Sequence, residues 1–340
     1  MQYRLAFIGF GNVAQALAQL LLRKRWELQE RYDITFSVTG ISTGSHGIAV
    51  NPNGISVNAA FDMLHSQRSL DLLTGGPMPT STLEFLERSE ADVMFENTPV
   101  NHASGQPAID HCRMALDLGM HAITANKGTV VHGYRKLSEL ARAKKKRFLF
   151  ESTVLGGSPL FSVFREAMPA AELIYFQGIL NSTTNIILSR MERGESFDEA
   201  VKYCQSIGVA ETDPSADVDG WDAAIKVSAL ASVLMDVPTK PADVDRTGIR
   251  DITPDEIARA KAQGKRWKLV CEARWEGDNL KTTVAPQMVG VESPLYGVEG
   301  TTSIVQIESD VLGKLSLIEE DPGPHTTAYG LLADFLNAVQ

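Results

Sequence analysis

Leu5-Ala6-Phe7-Ile8-Gly9-Phe10-Gly11-Asn12-Val13-Ala14 joins a short apolar run, a glycine-rich turn and the start of an apolar-periodic stretch from Val13 to Arg25. Read as strand, turn and helix, it is the opening of a dinucleotide-binding βαβ unit. Gly9 and Gly11 leave room for a pyrophosphate to reach the backbone amides at the helix N-terminus, where the dipole favours an anion. Ala14 takes the third small position, whose task is only close helix–sheet packing.

Outward from this turn, strands alternate with helices. Phe36–Ile41 reads as the second strand, Asp92–Glu96 as a buried one, and Gln106–Leu118 as a helix ending at Gly119. His121–Thr124 is a strand, Tyr134–Lys145 a helix and Arg147–Glu151 a strand; Ile41–Ile55, rich in Gly, Ser and Asn, reads as a loop. This rhythm predicts a doubly wound parallel sheet. Beyond Glu151 it changes. Helices are expected over Leu160–Glu166, Thr184–Glu192, Ser196–Ile207, Asp222–Met235 and Thr326–Asn337, and strands over Leu173–Leu180, Lys268–Ala273, Lys281–Val284 and Ser303–Ser309. The expected architecture is α/β: a Rossmann-type domain over 1–150, an α+β substrate and dimerisation domain over 151–315, and a segment 316–340 returning to the first domain.

The composition excludes several classes. With 340 residues, 44% hydrophobic and 22% charged, the chain suits a globular protein of two domains. A net charge of −10 argues against nucleic-acid binding. The basic run from Arg142 to Arg147 reads as a solvated helix C-terminus. No apolar run is long enough to span a membrane, and the first strand begins at once, so a cytoplasmic location is expected. Cys112, Cys204 and Cys271 form neither a metal-ligand spacing nor a disulfide framework.

The acidic residue that usually meets the ribose 2′-hydroxyl is missing; Ile41-Ser42-Thr43-Gly44-Ser45-His46 stands there instead. Without that carboxylate a 2′-phosphate is admitted, and small hydroxyls could bind it, which tilts the expectation toward NADP over NAD. Thr98 and the Ala125-Asn126-Lys127 run follow two later strands at the same carboxyl edge. Lys127 there can meet a phosphate, a nicotinamide amide or a substrate carboxylate.

Gly208-Val209-Ala210-Glu211-Thr212-Asp213-Pro214-Ser215-Ala216-Asp217-Val218-Asp219-Gly220-Trp221-Asp222, followed by Lys226, concentrates carboxylates in a loop. Such density is repulsive unless a cation or ammonium group sits among the acids. Asp222 and Lys226, four apart at a helix start, share one face, so the carboxylate would hold the ammonium protonated, as a general acid must be.

The spacing Gly-x-x-Glu-x-Asp-Pro, then Asp-x-x-Gly-x-Asp-x-x-x-Lys, resembles the signature of the homoserine dehydrogenase family. So do Gly178-Ile179-Leu180-Asn181-Ser182-Thr183-Thr184-Asn185 and Glu151-Ser152-Thr153-Val154-Leu155-Gly156-Gly157-Ser158-Pro159, in the family's order. The resemblance implies reversible NAD(P)H-dependent reduction of L-aspartate 4-semialdehyde to L-homoserine, with a place in threonine and methionine biosynthesis. It makes Lys226 the proton donor and Lys127 a contact of the cofactor and of the reacting oxygen. Glu211 and Asp222 would bind the substrate, supported by Asp217. Gly9, Phe10, Gly11, Asn12, Val13, Thr98, Ala125, Lys127, Gly208 and Gly323 would line the cofactor cleft between the domains. Glu151, Val154, Gly156 and Ser158 would ring a monovalent cation, Na⁺ or K⁺, largely through carbonyls. Ser182 departs from the family's glycine, which bears on substrate fit. The regulatory and kinase domains of longer family members have no counterpart in this sequence, and a homodimer is expected.

Two other readings compete with this one. A different two-domain dehydrogenase, such as one acting on a semialdehyde through a thiolate, needs a cysteine of lowered pKa, and none of the three sits in such a setting. A non-catalytic NAD(P)-binding sensor would keep the glycine turn but lose Lys226 or Glu211, and both are present.

Overall fold

The computed structural model describes residues 1–340. It divides into two compact units, Met1–Pro159 with Gly323–Gln340, and Leu160–Pro322. The chain thus parts after Pro159 and Pro322, several residues beyond the boundaries at 150 and 315 read from the sequence.

The first unit contains β1 (Gln2–Ile8), α1 (Asn12–Arg23), α2 (Arg25–Tyr32), β2 (Thr35–Ser42), β3 (Ile48–Val50), α3 (Val57–His65), α4 (Thr82–Ser89), β4 (Val93–Glu96), α5 (Ala108–Asp117), β5 (His121–Thr124), α6 (Lys127–Ala143) and β6 (Phe148–Leu149). The strands lie in the order β3-β2-β1-β4-β5-β6. The four pairings from β2 to β6 are parallel, as expected. β3 is a correction: inside the stretch read as a loop, Ile48–Val50 folds back antiparallel on Gly40–Ser42. A strand of three residues is too short to show a period in sequence.

α6 is a second correction, starting at Lys127 rather than Tyr134. Gly128 and the β-branched Thr129, Val130 and Val131 argue locally against helix. The Asn126 side chain nevertheless caps the first turn, accepting the Gly128 N–H at 3.0 Å. Sequence reading also passed over α2, α3 and α4.

The second unit holds α7 (Leu160–Ser162, continuing as a π turn over Val163–Ala167), β7 (Leu173–Ile179), α8 (Ser182–Met191), α9 (Phe197–Ser206), α10 (Ser215–Val218), α11 (Trp221–Leu234), β8 (Asp245–Arg246), α12 (Pro254–Ala262), β9 (Arg266–Glu276), β10 (Asn279–Val289), β11 (Ser303–Ser309) and β12 (Gly313–Glu319). Its mixed sheet runs β12-β11-β7-β9-β10-β8. Phe176, Cys271, Ala273, Val284 and Ile307 are buried in it. β9 and β10 are each eleven residues long and pair along their whole length, where the sequence expectation covered only their apolar halves.

α13 (Pro324–Val339) belongs to the first unit, as the returning C-terminal helix predicted. Leu331, Leu332 and Phe335 enter the core formed by Leu17, Leu21, Phe7 and Phe95. Its seat is shaped by Gly157, where a β-carbon would stand 1.8 Å from the Thr326 carbonyl oxygen. Ser152 donates its hydroxyl to Thr327 O at 2.7 Å, and Asp334 accepts the Glu151 N–H at 2.7 Å. Gly157→Ala is expected to cost about 1–3 kcal/mol through overpacking, lowering the thermal midpoint by several degrees. An unchanged midpoint would show that α13 does not rest there.

Candidate active site

The carboxyl edge of the first sheet is organised by β1 and β4, the neighbours at which strand order reverses. Gly9, just past β1, has φ of +84°, and a β-carbon on it would lie 2.6 Å from the Asn97 carbonyl. Only glycine meets both demands. The Gly9 N–H donates to Ser42 O at 2.8 Å, so the ends of three strands converge on this turn.

Gly11 is the N-cap of α1. It provides no capping side chain, the first turn carries no acidic residue, and a β-carbon on Gly11 would meet nothing within 4 Å. Bare amides at a helix N-terminus facing open space suit a pyrophosphate, so the residues fit a dinucleotide. Asn12 is exposed and Val13 half-buried beside it, whereas the Phe10 ring is 4% exposed, stacked on Phe61 at 6.1 Å. Phe10 can therefore offer the dinucleotide only its backbone.

Thr98, Ala125 and Lys127 cluster at the ends of β4 and β5. The Asn126 amide donates to Thr98 O at 3.0 Å, which ties the two turns together, and Lys127 is the first residue of α6. Gly323 is the N-cap of α13, in this same unit. Sequence reasoning missed Asn97. Both polar atoms of its amide are buried without a partner, a state that costs about 1–3 kcal/mol. Its place between Glu96 and Thr98 was the available signal.

At the end of β2, Thr43 donates to Gly47 O at 2.9 Å and accepts the His46 N–H at 2.8 Å, while Ser45 Oγ lies 2.8 Å from His46 Nδ1. The Thr43 and Ser45 hydroxyls are thus engaged within the turn.

Glu151, Val154, Gly156 and Ser158 fall in one tight segment, Glu151 and Val154 almost fully buried. No group of three or more His, Cys, Asp or Glu side chains is arranged to hold a metal. One carboxylate among backbone carbonyls is an oxygen-only donor set of low charge, which fits a hard monovalent cation.

In the second unit the acidic segment resolves into separate partnerships. Asp213 accepts Ser215 N–H and hydroxyl at 3.0 and 2.6 Å. Asp219 pairs with Arg250. Asp217 accepts from the Asn181 amide at 2.6 Å and the Thr183 hydroxyl at 2.8 Å. Burial, and next to it the Asp222 charge, push the Asp217 carboxyl above its usual range against the pull of those hydrogen bonds. Asp222 lies 3.4 Å from Lys226 Nζ, with side chains 16% and 15% exposed. Lys226 also donates to Leu180 O. Two of its three N–H directions are so occupied, leaving one for a ligand.

Glu211 differs from these four. Its carboxylate is exposed, while its backbone carbonyl is held by Gln205 Nε2 at 3.2 Å. Gly208, in the same unit beyond α9, has φ of +72° and open space at its α-carbon. Ser182 turns its hydroxyl to Thr301 O at 2.9 Å, so the departure from glycine is absorbed by a neighbouring loop. Asn181 and Thr183, which hold Asp217, lay inside the quoted motif but were given no role.

All three thiols are buried. Burial raises Cys204 to about 11 and Cys271 to about 12, and Cys112 also lies well above the usual thiol range. A thiolate mechanism has no nucleophile here.

A bare helix N-terminus at a strand-order reversal, with a lysine paired to a carboxylate in a second α+β unit, defines an NAD(P)-dependent dehydrogenase. Comparison with known proteins narrows the class. The homoserine dehydrogenase family model matches residues 159–336, and that of the homoserine dehydrogenase NAD-binding domain matches residues 9–151. The chain is 32% identical over 340 residues to an NAD(+)-dependent homoserine dehydrogenase of Pseudomonas canavaninivorans, covering 100% of this chain and 97% of that one. It is 31% identical to the homoserine dehydrogenase of Methanocaldococcus jannaschii, over 97% of this chain and 96% of the other. A hyperthermophilic archaeal homoserine dehydrogenase solved with NADPH superposes with a TM-score of 0.82 at 26% identity, covering 99% and 98% of the two chains. The chain belongs to the homoserine dehydrogenase family.

A β-carbon at Gly11 would meet no protein atom within 4 Å, so a valine there would extend into the open space before α1. Gly11→Val is expected to leave the thermal midpoint within about 1 °C while weakening coenzyme binding at least about tenfold, since the phosphates lose their approach to the backbone. Calorimetric titration with coenzyme checks both halves of this expectation; unaltered binding would remove the pyrophosphate from this turn.

Proposed function

We propose that in the interconversion of L-aspartate 4-semialdehyde and L-homoserine Lys226 donates the proton to the carbonyl oxygen. When bound, the reduced nicotinamide supplies the hydride to the carbonyl carbon. Lys226 then completes the alcohol by giving its proton to the oxygen, and takes one back in the reverse direction. Asp222, 3.4 Å away, keeps the ammonium oriented. Glu211, with its unpartnered carboxylate, and Asp222 receive the substrate ammonium, and Asp217 supports them through Asn181 and Thr183. The observation that carries this reading is the half-buried Lys226–Asp222 pair at 3.4 Å with one N–H direction left open.

Gly9, Gly11, Asn12, Val13, Thr98, Ala125, Lys127, Gly208, Gly323 and the Phe10 backbone hold the coenzyme, NADP or NAD. Glu151, Val154, Gly156 and Ser158 hold a monovalent cation. The three unpaired thiols suit a reducing cytoplasm, and no helix is long and apolar enough to cross a membrane. The working assembly is a homodimer. Val311, Leu312 and Ile318 of the β11–β12 hairpin, exposed at 71%, 58% and 58%, make its contact; sedimentation finding only monomer at micromolar concentration would refute this.

Lys226→Ala should lower kcat for homoserine oxidation, followed by nicotinamide absorbance, by about 10²–10⁴-fold, with the coenzyme Kd unchanged. Near-normal turnover in that variant would transfer the proton to another group.

A further inference from the structure

β4 ends on Glu96, a carboxylate with no solvent exposure. Its Oε1 accepts the Thr98 N–H at 3.3 Å and the Thr98 hydroxyl, and lies 3.3 Å from His111 Nδ1 on α5. Thr124 Oγ1 at the end of β5 is 3.4 Å from Oε2 and 3.1 Å from the Glu96 carbonyl oxygen. The same Thr124 oxygen accepts the Asn126 N–H at 2.9 Å. One buried carboxyl therefore braces the ends of two adjacent strands and the Thr98 turn.

Burying a carboxylate is expensive, and a neutral amide could accept most of these hydrogen bonds. The charge itself needs an account. In sheets of this order a dinucleotide lies along the carboxyl edge, across the point where strand order reverses. Its nicotinamide carries a positive charge when oxidised and none when reduced. An anion fixed beneath that edge therefore distinguishes the two forms, whereas hydrogen bonds and shape treat them nearly alike.

We propose that Glu96 is a positioning residue that braces the Thr98 turn and biases the coenzyme site toward oxidised nicotinamide. This rests on the assignment of the coenzyme to the edge formed by Gly9, Gly11 and Thr98. Through the intermediate dielectric of a protein, a buried unit charge is worth about a factor of ten in affinity for a second charge.

The test is calorimetric titration of the full chain and of Glu96→Gln with oxidised and reduced coenzyme. In Glu96→Gln the Kd of the oxidised form should rise about tenfold and that of the reduced form less than about threefold. Glu96→Asp should keep the wild-type ratio. Equal weakening of both forms, or an unchanged ratio, would reduce Glu96 to a brace and overturn the proposal. If the wild-type chain binds neither form, the coenzyme assignment itself fails and the proposal goes with it. Should Glu96→Gln not fold, Thr98→Val removes the braced hydroxyl but keeps the charge; it must leave the ratio within about threefold, and a tenfold shift there would overturn the proposal.

Discussion

The second unit depends on one side-chain amide. Asn181, 5% exposed, stands between β7 and α8 and accepts the Thr184 N–H at 2.9 Å as the helix cap. Its Nδ2 donates to Asp217 at 2.6 Å and to Asp222 at 3.1 Å. A cap of this kind is worth about 1 kcal/mol by itself. The larger effect is that the same group holds two carboxylates beside each other, which would otherwise repel. Through them the end of β7, α10 and the start of α11 are joined, and Lys226 is presented one turn further along α11. Remove the amide, and the ammonium loses its reference point.

This explains why the site was so legible. Asp222 and Lys226 share a helix face by spacing alone, and Gly9 and Gly11 announce their turn by position, because both features are local. What escaped was mostly non-local. β12 reads Gly313-Lys314-Leu315-Ser316-Leu317-Ile318-Glu319 and becomes a strand only because it pairs with β11 along its length. α2 is hydrophilic on nearly every side, burying only Leu28, so no apolar stripe marks it. α12 did carry a readable start, a Thr253/Glu256 capping box with Pro254 at its first position. It was overlooked because its apolar face is limited to Ile257 and Ala260.

The partnering of carboxylates was likewise hidden. In sequence, four acids between Asp213 and Asp222 looked like one negative cluster in want of a cation. In space they divide into three: Asp213 bonds to Ser215, Asp219 pairs with Arg250, and Asp217 and Asp222 share the Asn181 amide, Asp217 bonding also to Thr183 and Asp222 pairing with Lys226. Arg250 and Asp219 are 31 residues apart, a separation that no local pattern encodes. Charge density along a chain is thus a poor guide to charge density in a site, because hydrogen-bond donors from distant segments can satisfy each carboxylate.

That division has a chemical consequence. If the acids shared a single cation, all of them would be committed and an incoming ammonium would compete with it. Because their partners come from several segments, no single cation gathers the acids, and the Glu211 carboxylate stays exposed. An amino-acid substrate needs an anion for its ammonium and a donor for its carbonyl, and the two must not quench each other. Asp222 binds Lys226 from the side, at 3.4 Å rather than in a short bidentate contact. With the Leu180 carbonyl as its second partner, the lysine keeps one N–H direction open.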